Sequence, residues 1–520
     1  MPDNPANLVL TGRAPTSSSL RDSDTVMLIS LSVLPPAALT SWRAARFGLK
    51  CCTMSSKLAP GPHNRFGIGV FPGFFGTRQN RIWQHVDYAA RYGDIVRHQM
   101  GTFVAHVSRH PDHVKHVLQE NHANYIKGRG LRKMKVFLGE GLLTSEGDFW
   151  RRQRKLIQPA FHRQRLALLA STMAECTAEM LDEWKAIAAG KKPENIAQQM
   201  MRLTLNIAAK TLFSVDVRHE AEAVGRALTI ALEEGNRRLF TLVELPLWVS
   251  TPANVRYRDA MAELDRVVYG IIETRRKTKT DKVDLLGMLI EARDEDTGET
   301  MSDKQIRDET MTLFLAGHET TANALSWIWY LLSKHPAEHR KLEREVDEVL
   351  GGKAPRFDDL PNLKYTRMVV EESLRLYPPA WIFGRTALGD DTLGGYSIPK
   401  RSIVAMSPFL IHRHPEFWSN PEGFDPERFA PEASATRHKY AYVPFGGGPR
   451  VCIGNQFAML ESQLCLAMMV QRYRLELVPG ARVEMEPLVT LRPLGGMPMT
   501  LHERESTHSP RRVVAAGAPS

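Results

Sequence analysis

The sequence predicts a mainly α-helical protein with a smaller β portion, built as one large domain. Helical periodicity dominates the chain and is clearest over Thr172–Ala189, Gln198–Phe213, Ala221–Gly235, Tyr257–Thr278 and Ala337–Leu350. Short strand-like runs, such as Phe103–Val107 and Ser402–Ala405, are few. The hydrophobic fraction of 43% is sufficient to bury a large core.

The domain boundaries follow from the spread of the motifs. A chain of 520 residues has room for roughly three or four domains. The motifs described below run from Trp150 to Gly454 and must converge on one site, which favours a single domain. We predict that it spans residues 58–503, between an N-terminal extension over residues 1–57 and a disordered tail over residues 504–520. The extension is predicted to be partly disordered, with one weak apolar segment.

The longest predicted helix begins after Ser302, which forms a capping box with Gln305, and ends at Lys334, shortly before a proline. About thirty residues, each rising ~1.5 Å, make a rod that crosses an entire domain. Its middle contains Ala316 and Gly317, followed by a histidine, an acid and two threonines. Because Ala316 and Gly317 are small, the helix can lie close to a cofactor at this point.

A single cysteine follows a glycine-rich loop at the start of a later helix. The segment reads Phe445-Gly446-Gly447-Gly448-Pro449-Arg450-Val451-Cys452-Ile453-Gly454, and the helix extends from Asn455 toward Arg472. Backbone N–H groups and the positive end of the helix dipole favour the thiolate form of Cys452. Glycines such as Gly446 let the backbone approach a large planar cofactor. Most lone cysteines are small buried hydrophobes, but the spacing of the five fixed residues in F-x-x-G-x-R-x-C-x-G argues against that interpretation.

This segment resembles the haem-binding loop of the cytochrome P-450 superfamily, and the resemblance covers roughly residues 58 to 503. It implies the cytochrome P-450 fold, with haem b (iron protoporphyrin IX) as cofactor and O2 as co-substrate. Cys452 is then the axial ligand of the haem iron, where a thiolate favours O–O cleavage. The resemblance also implies that Phe445 screens the sulfur, that Gly446 lies against the haem and that Arg450 pairs with a haem carboxylate.

Two neighbours in the longest helix match the proton relay of this family. Thr320 lies one turn after Ala316 and directly follows the acid Glu319. Oxygen activation needs two protons, which a hydroxyl beside a carboxylate supplies. The resemblance therefore makes Thr320 and Glu319 catalytic and places Ala316 and Gly317 against the haem. The alternative is a mid-helix threonine that hydrogen-bonds back to the preceding turn, which the cysteine loop downstream disfavours.

A third motif is structural. Glu372 and Arg375 are three residues apart on a predicted helix, so their side chains share a face and can pair. Such a pair alone is weak evidence, because surface ion pairs of this kind are common. Arg428 matches the family residue that completes a buried Glu–Arg–Arg cluster. The resemblance implies that these three residues support the cysteine loop without taking part in the chemistry.

Three further residues are candidates for the haem propionates. Trp150 and Arg154 are four apart and face the same way on a helix. In the family a W-x-x-x-R pattern contacts a propionate, and we assign Trp150 and Arg154 that role. Arg385 is a further candidate by its position alone. The alternative for this stretch is a basic, solvated helix face.

The resulting prediction is a haem-thiolate monooxygenase that inserts one oxygen atom of O2 into a lipophilic small molecule, such as a fatty acid, terpenoid or steroid. A peroxygenase or an oxygen-independent isomerase on the same fold is an alternative, and members of those groups depart from the acid–threonine pair. A haem-based sensor is another alternative, and it needs no proton relay. Turnover of a substrate with an electron donor separates these functions.

The electrons are predicted to come indirectly from NAD(P)H. No flavin- or nicotinamide-binding fingerprint follows the haem segment, so we expect a separate partner, either a ferredoxin with its reductase or a diflavin reductase. The formal charge of +10 favours docking of an acidic electron-transfer protein. Nucleic acid is not expected as a partner, because the sequence has no aromatic and basic recognition module. We expect a monomer.

A soluble, cytoplasmic protein is predicted. Five cysteines without a disulfide pattern indicate a reducing compartment. The apolar run Val26–Leu34 stops at Pro35, short of the ~20 residues that cross a bilayer. The alternative is peripheral membrane association through residues 25–42, so membrane contact is expected to be weak or absent.

Overall fold

The structure, a computed structural model, describes residues 57–62, 80–100, 103–214, 221–240, 245–277, 284–294 and 297–504. The chain divides into two units, Met1–Met54 and Ser55–Ser520, and every described residue lies in the second unit. Nearly all of the predicted extension and the tail beyond Arg504 lie outside the described residues, as does the apolar segment over residues 25–42. The predicted boundaries at both ends therefore stay predictions.

Helices form most of the described structure. They are α1 (Asn80–Tyr92), α2 (Pro111–Lys115), α3 (Arg129–Lys133), α4 (Lys135–Leu138), α5 (Gly147–Ile157), α6 (Arg163–Gly190), α7 (Ile196–Phe213), α8 (Ala221–Phe240), α9 (Pro252–Lys277), α10 (Leu285–Glu291), α11 (Asp303–Lys334), α12 (Pro336–Leu350), α13 (Lys364–Leu376), α14 (Pro408–Ile411), α15 (Pro431–Ser434) and α16 (Asn455–Arg472). The five segments with predicted helical periodicity correspond to α6–α9 and α12. Helix α6 begins at Arg163, earlier than predicted, because its first turn is exposed and polar and shows no apolar periodicity.

The strands are short and form small sheets. They are β1 (Ile95–Met100), β2 (Phe103–Ser108), β3 (Tyr125–Lys127), β4 (Glu194–Asn195), β5 (Phe383–Ala387), β6 (Asp391–Leu393), β7 (Tyr396–Ile398), β8 (Ile403–Met406), β9 (Tyr473–Leu477), β10 (Met485–Pro487), β11 (Leu491–Pro493) and β12 (Pro498–Glu503). The largest sheet has the order β1-β2-β8-β5-β3, in which only β2 and β8 are parallel. Strands β4, β12 and β9 form a second sheet, while β6–β7 and β10–β11 are hairpins. The predicted fold class, mainly α with a smaller β portion, is confirmed.

Helix α11 is the central rod of the domain. It has 32 residues and starts with the predicted capping box, in which Ser302 accepts from the Gln305 backbone and the Gln305 side chain accepts from Ser302. At ~1.5 Å per residue it is about 48 Å long. It packs against α7, α9, α13 and α16, and most of its side chains are buried on every side. Because it is enclosed, any polar group on α11 must find a partner within the protein.

Candidate functional site

The cysteine loop turns tightly before α16 begins at Asn455. Gly446 and Gly448 have φ of 71° and 65°, which favours glycine at both positions. The backbone N–H of Cys452 donates to the carbonyl of Phe445 (3.0 Å), which closes the loop. Phe445 itself is half-buried and packs against the main hydrophobic core. The loop is therefore held by its own backbone and by its contacts with the core.

A Gly448→Ala variant is expected to disrupt this loop. A Cβ at Gly448 would lie 1.8 Å from the backbone oxygen of Leu118, whereas a Cβ at Gly446 would meet nothing within 4 Å. Gly446→Ala is the matched control, because both glycines have positive φ, and it should cost only the strain of about 1–2 kcal/mol. We expect a several-fold larger loss of unfolding free energy for Gly448→Ala, measured by denaturant unfolding. Equal losses would mean that backbone strain, and not the contact with Leu118, controls the loop.

The sulfur of Cys452 is accessible and yet enclosed by protein. The side chain is exposed, but burial of the surrounding region raises the pKa of the Cys452 thiol, while the Gly454 N–H and the nearby Arg154 lower it. The accessible surface therefore faces the interior of the protein. Desolvation outweighs the Gly454 N–H and Arg154, so these two groups alone do not lower the pKa of the thiol below its ordinary value. A bound metal cation deprotonates such a thiol directly.

Arg450 connects the cysteine loop to the start of α5. Its guanidinium forms an ion pair with Glu146 and donates to the backbone oxygen of Ser145 (3.0 Å). It also lies 3.7 Å from the centre of the Trp150 ring, in a cation–π contact. Arg154, one turn after Trp150, donates to the backbone oxygen of Val451 (2.8 Å). The structure thus brings Trp150, Arg154 and Arg450 together beside Cys452.

Two more cations lie beside this group on the largest sheet. Lys127 on β3 and Arg385 on β5 are directly opposite each other in the antiparallel pair. Like charges in this position repel, and burial together with Arg450 and Arg385 lowers the pKa of Lys127 to about 7. Glu146 contacts both Arg450 and the Lys127 backbone N–H. Lys127 does not stand out in the sequence, because a single lysine in a short strand has no distinguishing pattern.

This arrangement fits a cofactor with two carboxylates. No ion pair of Arg385 is found among the described residues, and burial lowers the pKa of its guanidinium. Arg154, Arg385 and Arg450, each partly buried, together carry more positive charge than Glu146 can balance, and the buried Lys127 adds to it when it is protonated. Buried charge of one sign is costly without a partner of the opposite sign. The propionates of a haem would supply that partner, next to the thiol that would bind its iron.

The middle of α11 offers an accessible surface within an otherwise buried helix. Ala316 is exposed, and Gly317 and Thr320 are half-exposed, although their neighbours are buried. The Thr320 hydroxyl donates to the Ala316 backbone oxygen (2.7 Å). This is the hydrogen bond to the preceding turn that was the alternative to a catalytic role for Thr320. A hydroxyl bound in this way can also accept a hydrogen bond from a ligand. The small residues therefore leave room beside α11, and Thr320 faces that room.

Glu319 faces a different direction from Thr320. Adjacent residues on a helix do not face each other, and Glu319 is buried against the β10–β11 hairpin. The Thr490 hydroxyl donates to its Oε1 atom (2.6 Å). Burial raises the pKa of Glu319, and the contacts with Thr490 and Arg492 lower it. The structure therefore does not bring the acid and the hydroxyl of the predicted relay into direct contact.

A segment that we call the bridging loop, Gly139–Glu146, joins α11 to the cysteine loop. At one end, the backbone N–H groups of Glu140 and Leu142 donate to Asp308 (3.0 Å) and Glu309 (2.8 Å) on α11. At the other end, Ser145 and Glu146 hold Arg450. Neither acid stands out in the sequence, since charged residues near a helix start are usually solvated.

Glu309→Gln is expected to change how stability depends on pH. Burial raises the pKa of Glu309 from 4.5 to about 8, so the folded protein keeps a proton there that the unfolded chain releases. This contribution to stability is complete below pH 4.5 and is lost as the pH rises through 8. Glutamine does not titrate, so the unfolding free energy of wild type minus that of the variant should fall across this range. A constant difference in denaturant unfolding would contradict a buried, protonated Glu309.

The predicted structural cluster is assembled in the protein interior. Glu372 and Arg375 are fully buried and paired through two hydrogen bonds of 2.6 and 2.7 Å. Arg428 donates to the same carboxylate (3.0 Å). The two guanidinium groups also donate to backbone oxygens of residues 412 and 419–423, in the segment that leads to the cysteine loop. The carboxylate is thus the centre of a network that fixes this segment.

In the described part of the chain, no group of three or more histidine, cysteine or acidic residues is arranged to bind a metal ion. No helix there is long and apolar enough to cross a membrane. Cys465 is fully buried in α16, with its sulfur 3.3 Å from the Thr177 hydroxyl. Cys465 therefore packs in the core, as a small hydrophobe does.

Comparisons with known proteins identify relatives of full domain length. Cyclooctatin synthase from Streptomyces melanosporofaciens is 40% identical over 403 residues, which cover 77% of this chain and 87% of that protein. Pentalenene oxygenase from Streptomyces avermitilis is 36% identical over 405 residues, which cover 77% of this chain and 88% of that protein. Cyclooctat-9-en-7-ol 5-monooxygenase from Streptomyces melanosporofaciens is 35% identical over 390 residues.

A solved structure and a family model match the same region of the chain. The crystal structure of the cytochrome P450DA heme domain matches with a TM-score of 0.78 and 27% identity, and the match covers 86% of this chain and 99% of that one. The family model for cytochrome P450 matches residues 60–497. The matched region includes the cysteine loop, α11 and the buried cluster. The chain therefore belongs to the cytochrome P450 family, whose members are haem-thiolate oxidoreductases that incorporate molecular oxygen.

Proposed function

We propose that this enzyme inserts one oxygen atom of O2 into a lipophilic terpenoid, with electrons from a separate redox partner. The observation that carries this proposal is the cysteine loop. Cys452 is exposed toward the interior, beside an excess of partly buried positive charge and in a domain whose central helix is accessible at Ala316 and Thr320. This combination suits a planar, dianionic cofactor bound through sulfur.

Each residue of the site has a proposed task. Haem bound through a thiolate supplies the oxygen chemistry. Cys452 would hold the iron, while Arg154, Arg385 and Arg450 would pair with the propionates. Lys127, whose Nζ donates to the backbone oxygens of Leu142 (2.9 Å) and Leu143, would add positive charge beside them. Trp150 would support Arg450 through their cation–π contact (3.7 Å). The bridging loop would then keep water away from the side of α11 that carries Ala316.

Protons would be delivered by α11. Thr320 is the residue of the pair that faces the accessible surface, so its hydroxyl would hand over the proton, after releasing the Ala316 oxygen (2.7 Å). Glu319 would reload it, because the Glu319 carboxyl is buried and retains a proton more readily than a solvated one. Since the two side chains face different directions, the carboxyl must rotate about its χ angles between receiving and donating the proton.

The substrate class rests on the relatives. Cyclooctatin synthase, cyclooctat-9-en-7-ol 5-monooxygenase and pentalenene oxygenase are named for terpenoid compounds, and each covers most of this domain. Among the fatty acid, terpenoid and steroid classes, this similarity favours a terpenoid. The net charge of +10 suits an acidic electron donor, either a ferredoxin or a diflavin reductase.

Turnover in heavy-isotope O2 tests this function. Purified holoenzyme is mixed with NADPH, either a ferredoxin and its reductase or a diflavin reductase, and a panel of terpenoid hydrocarbons, fatty acids and steroids. We expect a terpenoid product that carries one labelled oxygen atom, detected by mass spectrometry. Oxidation of only fatty acids or steroids would reject the substrate class. A product without the label would reject monooxygenation.

A further inference from the structure

The turn between β10 and β11 places one hydroxyl against the central helix. The indole N–H of Trp381 donates to the Leu488 backbone oxygen (2.9 Å), and that of Trp327 donates to the Leu491 backbone oxygen (3.0 Å). Both indoles are buried, so the two ends of the turn are fixed. Thr490 lies between these two points and is itself buried. Its hydroxyl is therefore held at a defined position relative to α11.

That hydroxyl is part of a directional chain of hydrogen bonds. The side-chain amide of Asn323 donates to Thr490 Oγ1 (3.2 Å), and Thr490 Oγ1 donates to Glu319 Oε1 (2.6 Å). Asn323 lies one turn after Glu319, on the same face of α11. Because the amide supplies a donor to the hydroxyl, the single hydroxyl proton is left for the carboxylate. All three side chains are buried, so water does not compete for these contacts.

We propose that Thr490 is a positioning residue. It fixes the position of the Glu319 carboxyl and thereby sets the pH range over which α11 delivers protons. The proposal rests on the proposed function. Thr490 has no contact with Thr320 or with the accessible surface beside it. Thr490 therefore acts through Glu319 alone. Since Thr490 belongs to the hairpin and not to α11, a displacement of the hairpin would release the carboxyl.

The other charged groups around Glu319 are few. Arg492 on β11 lowers the pKa of Glu319, although Arg492 is itself paired with Glu486 (2.7 Å). His318 precedes Glu319 on α11 and is kept neutral by burial, which lowers its pKa to about 4. Burial is the largest influence on Glu319 and favours the protonated carboxyl. The Thr490 hydrogen bond therefore opposes burial and is a main support of the ionised form.

The test compares Thr490→Val, which keeps the shape and removes the hydroxyl, with Thr490→Ser, which keeps the hydroxyl. The carboxylic C=O stretch of Glu319 is titrated by infrared difference spectroscopy of the holoenzyme and identified by its absence in Glu319→Gln. We expect the midpoint to rise by about one to two pH units in Thr490→Val, since a hydrogen bond to a charged group is lost. The midpoint in Thr490→Ser should stay close to that of wild type. Equal midpoints in wild type and Thr490→Val would overturn the proposal.

A second measurement separates this proposal from the proposed function. The pH profile of product formed per electron consumed should move upward with the infrared midpoint in Thr490→Val and return in Thr490→Ser. An unchanged profile would overturn the positioning role, even if the infrared band moves. If wild type forms no oxidised product with either electron donor, the proposed function fails, whereas the infrared titration still decides the contact between Thr490 and Glu319.

Discussion

A Cys452→His variant is expected to lose the spectrum of a haem-thiolate protein. Wild-type protein, reduced with dithionite under carbon monoxide, should show a strongly red-shifted Soret band, because a thiolate donates electron density to the iron. Histidine is a neutral ligand, so the variant should give a band like that of a globin. Product formation should be lost as well. This is the largest effect that we expect from any single substitution, because the sulfur is the one group that would bind the metal.

Cys465→Ser is the matched control for this experiment. Cys465 lies on α16, the helix that follows the cysteine loop, and it is fully buried against Thr177 on α6. The control should keep the red-shifted band. A red-shifted band in Cys452→His, or its loss in Cys465→Ser, would show that the wrong cysteine has been assigned.

Loss of Glu372 should prevent the protein from retaining haem. In a Glu372→Ala variant the guanidinium groups of Arg375 and Arg428 would remain buried without a carboxylate, which typically costs ~3–5 kcal/mol. The backbone oxygens of residues 419–423 depend on the same guanidiniums, so the segment leading to Cys452 would lose its support. We expect a low haem-to-protein ratio and a large fall in unfolding free energy, measured by absorbance and by denaturant unfolding.

The adjacent residue provides the control. Glu371 lies on the same helix and is paired at 3.4 Å with Arg367, whose side chain is 62% exposed. Solvent screens such a pair, so Glu371→Ala should cost about 1 kcal/mol or less and leave haem content normal. Normal holoprotein yield from Glu372→Ala would contradict the structural role of the buried cluster.

The sequence could not decide between the two interpretations of Thr320. A threonine inside a helix can bond back to the preceding turn whether or not it has a function, and that bond is present (2.7 Å). What distinguishes Thr320 is its partial exposure beside Ala316, in a helix that is otherwise buried. This property depends on the elements that surround α11, and no local pattern encodes it.

Features that depend on contiguous residues can be predicted from the sequence alone. The capping box of α11, the glycine-rich loop before Cys452 and the pairing of Glu372 with Arg375 are all local, because neighbouring residues satisfy their hydrogen bonds and backbone angles. These motifs were enough to predict the fold class and the family.

The distant residues that complete the site are brought together by the packing of the fold. Lys127 meets Arg385 across a strand pair, Glu309 meets the bridging loop, and Thr490 meets Glu319. These partners are far apart in the chain, and each is an ordinary residue type without a recognisable pattern around it. These interactions, repulsive between Lys127 and Arg385 and hydrogen-bonding in the other two cases, are strong only because packing removes water and brings the groups close together.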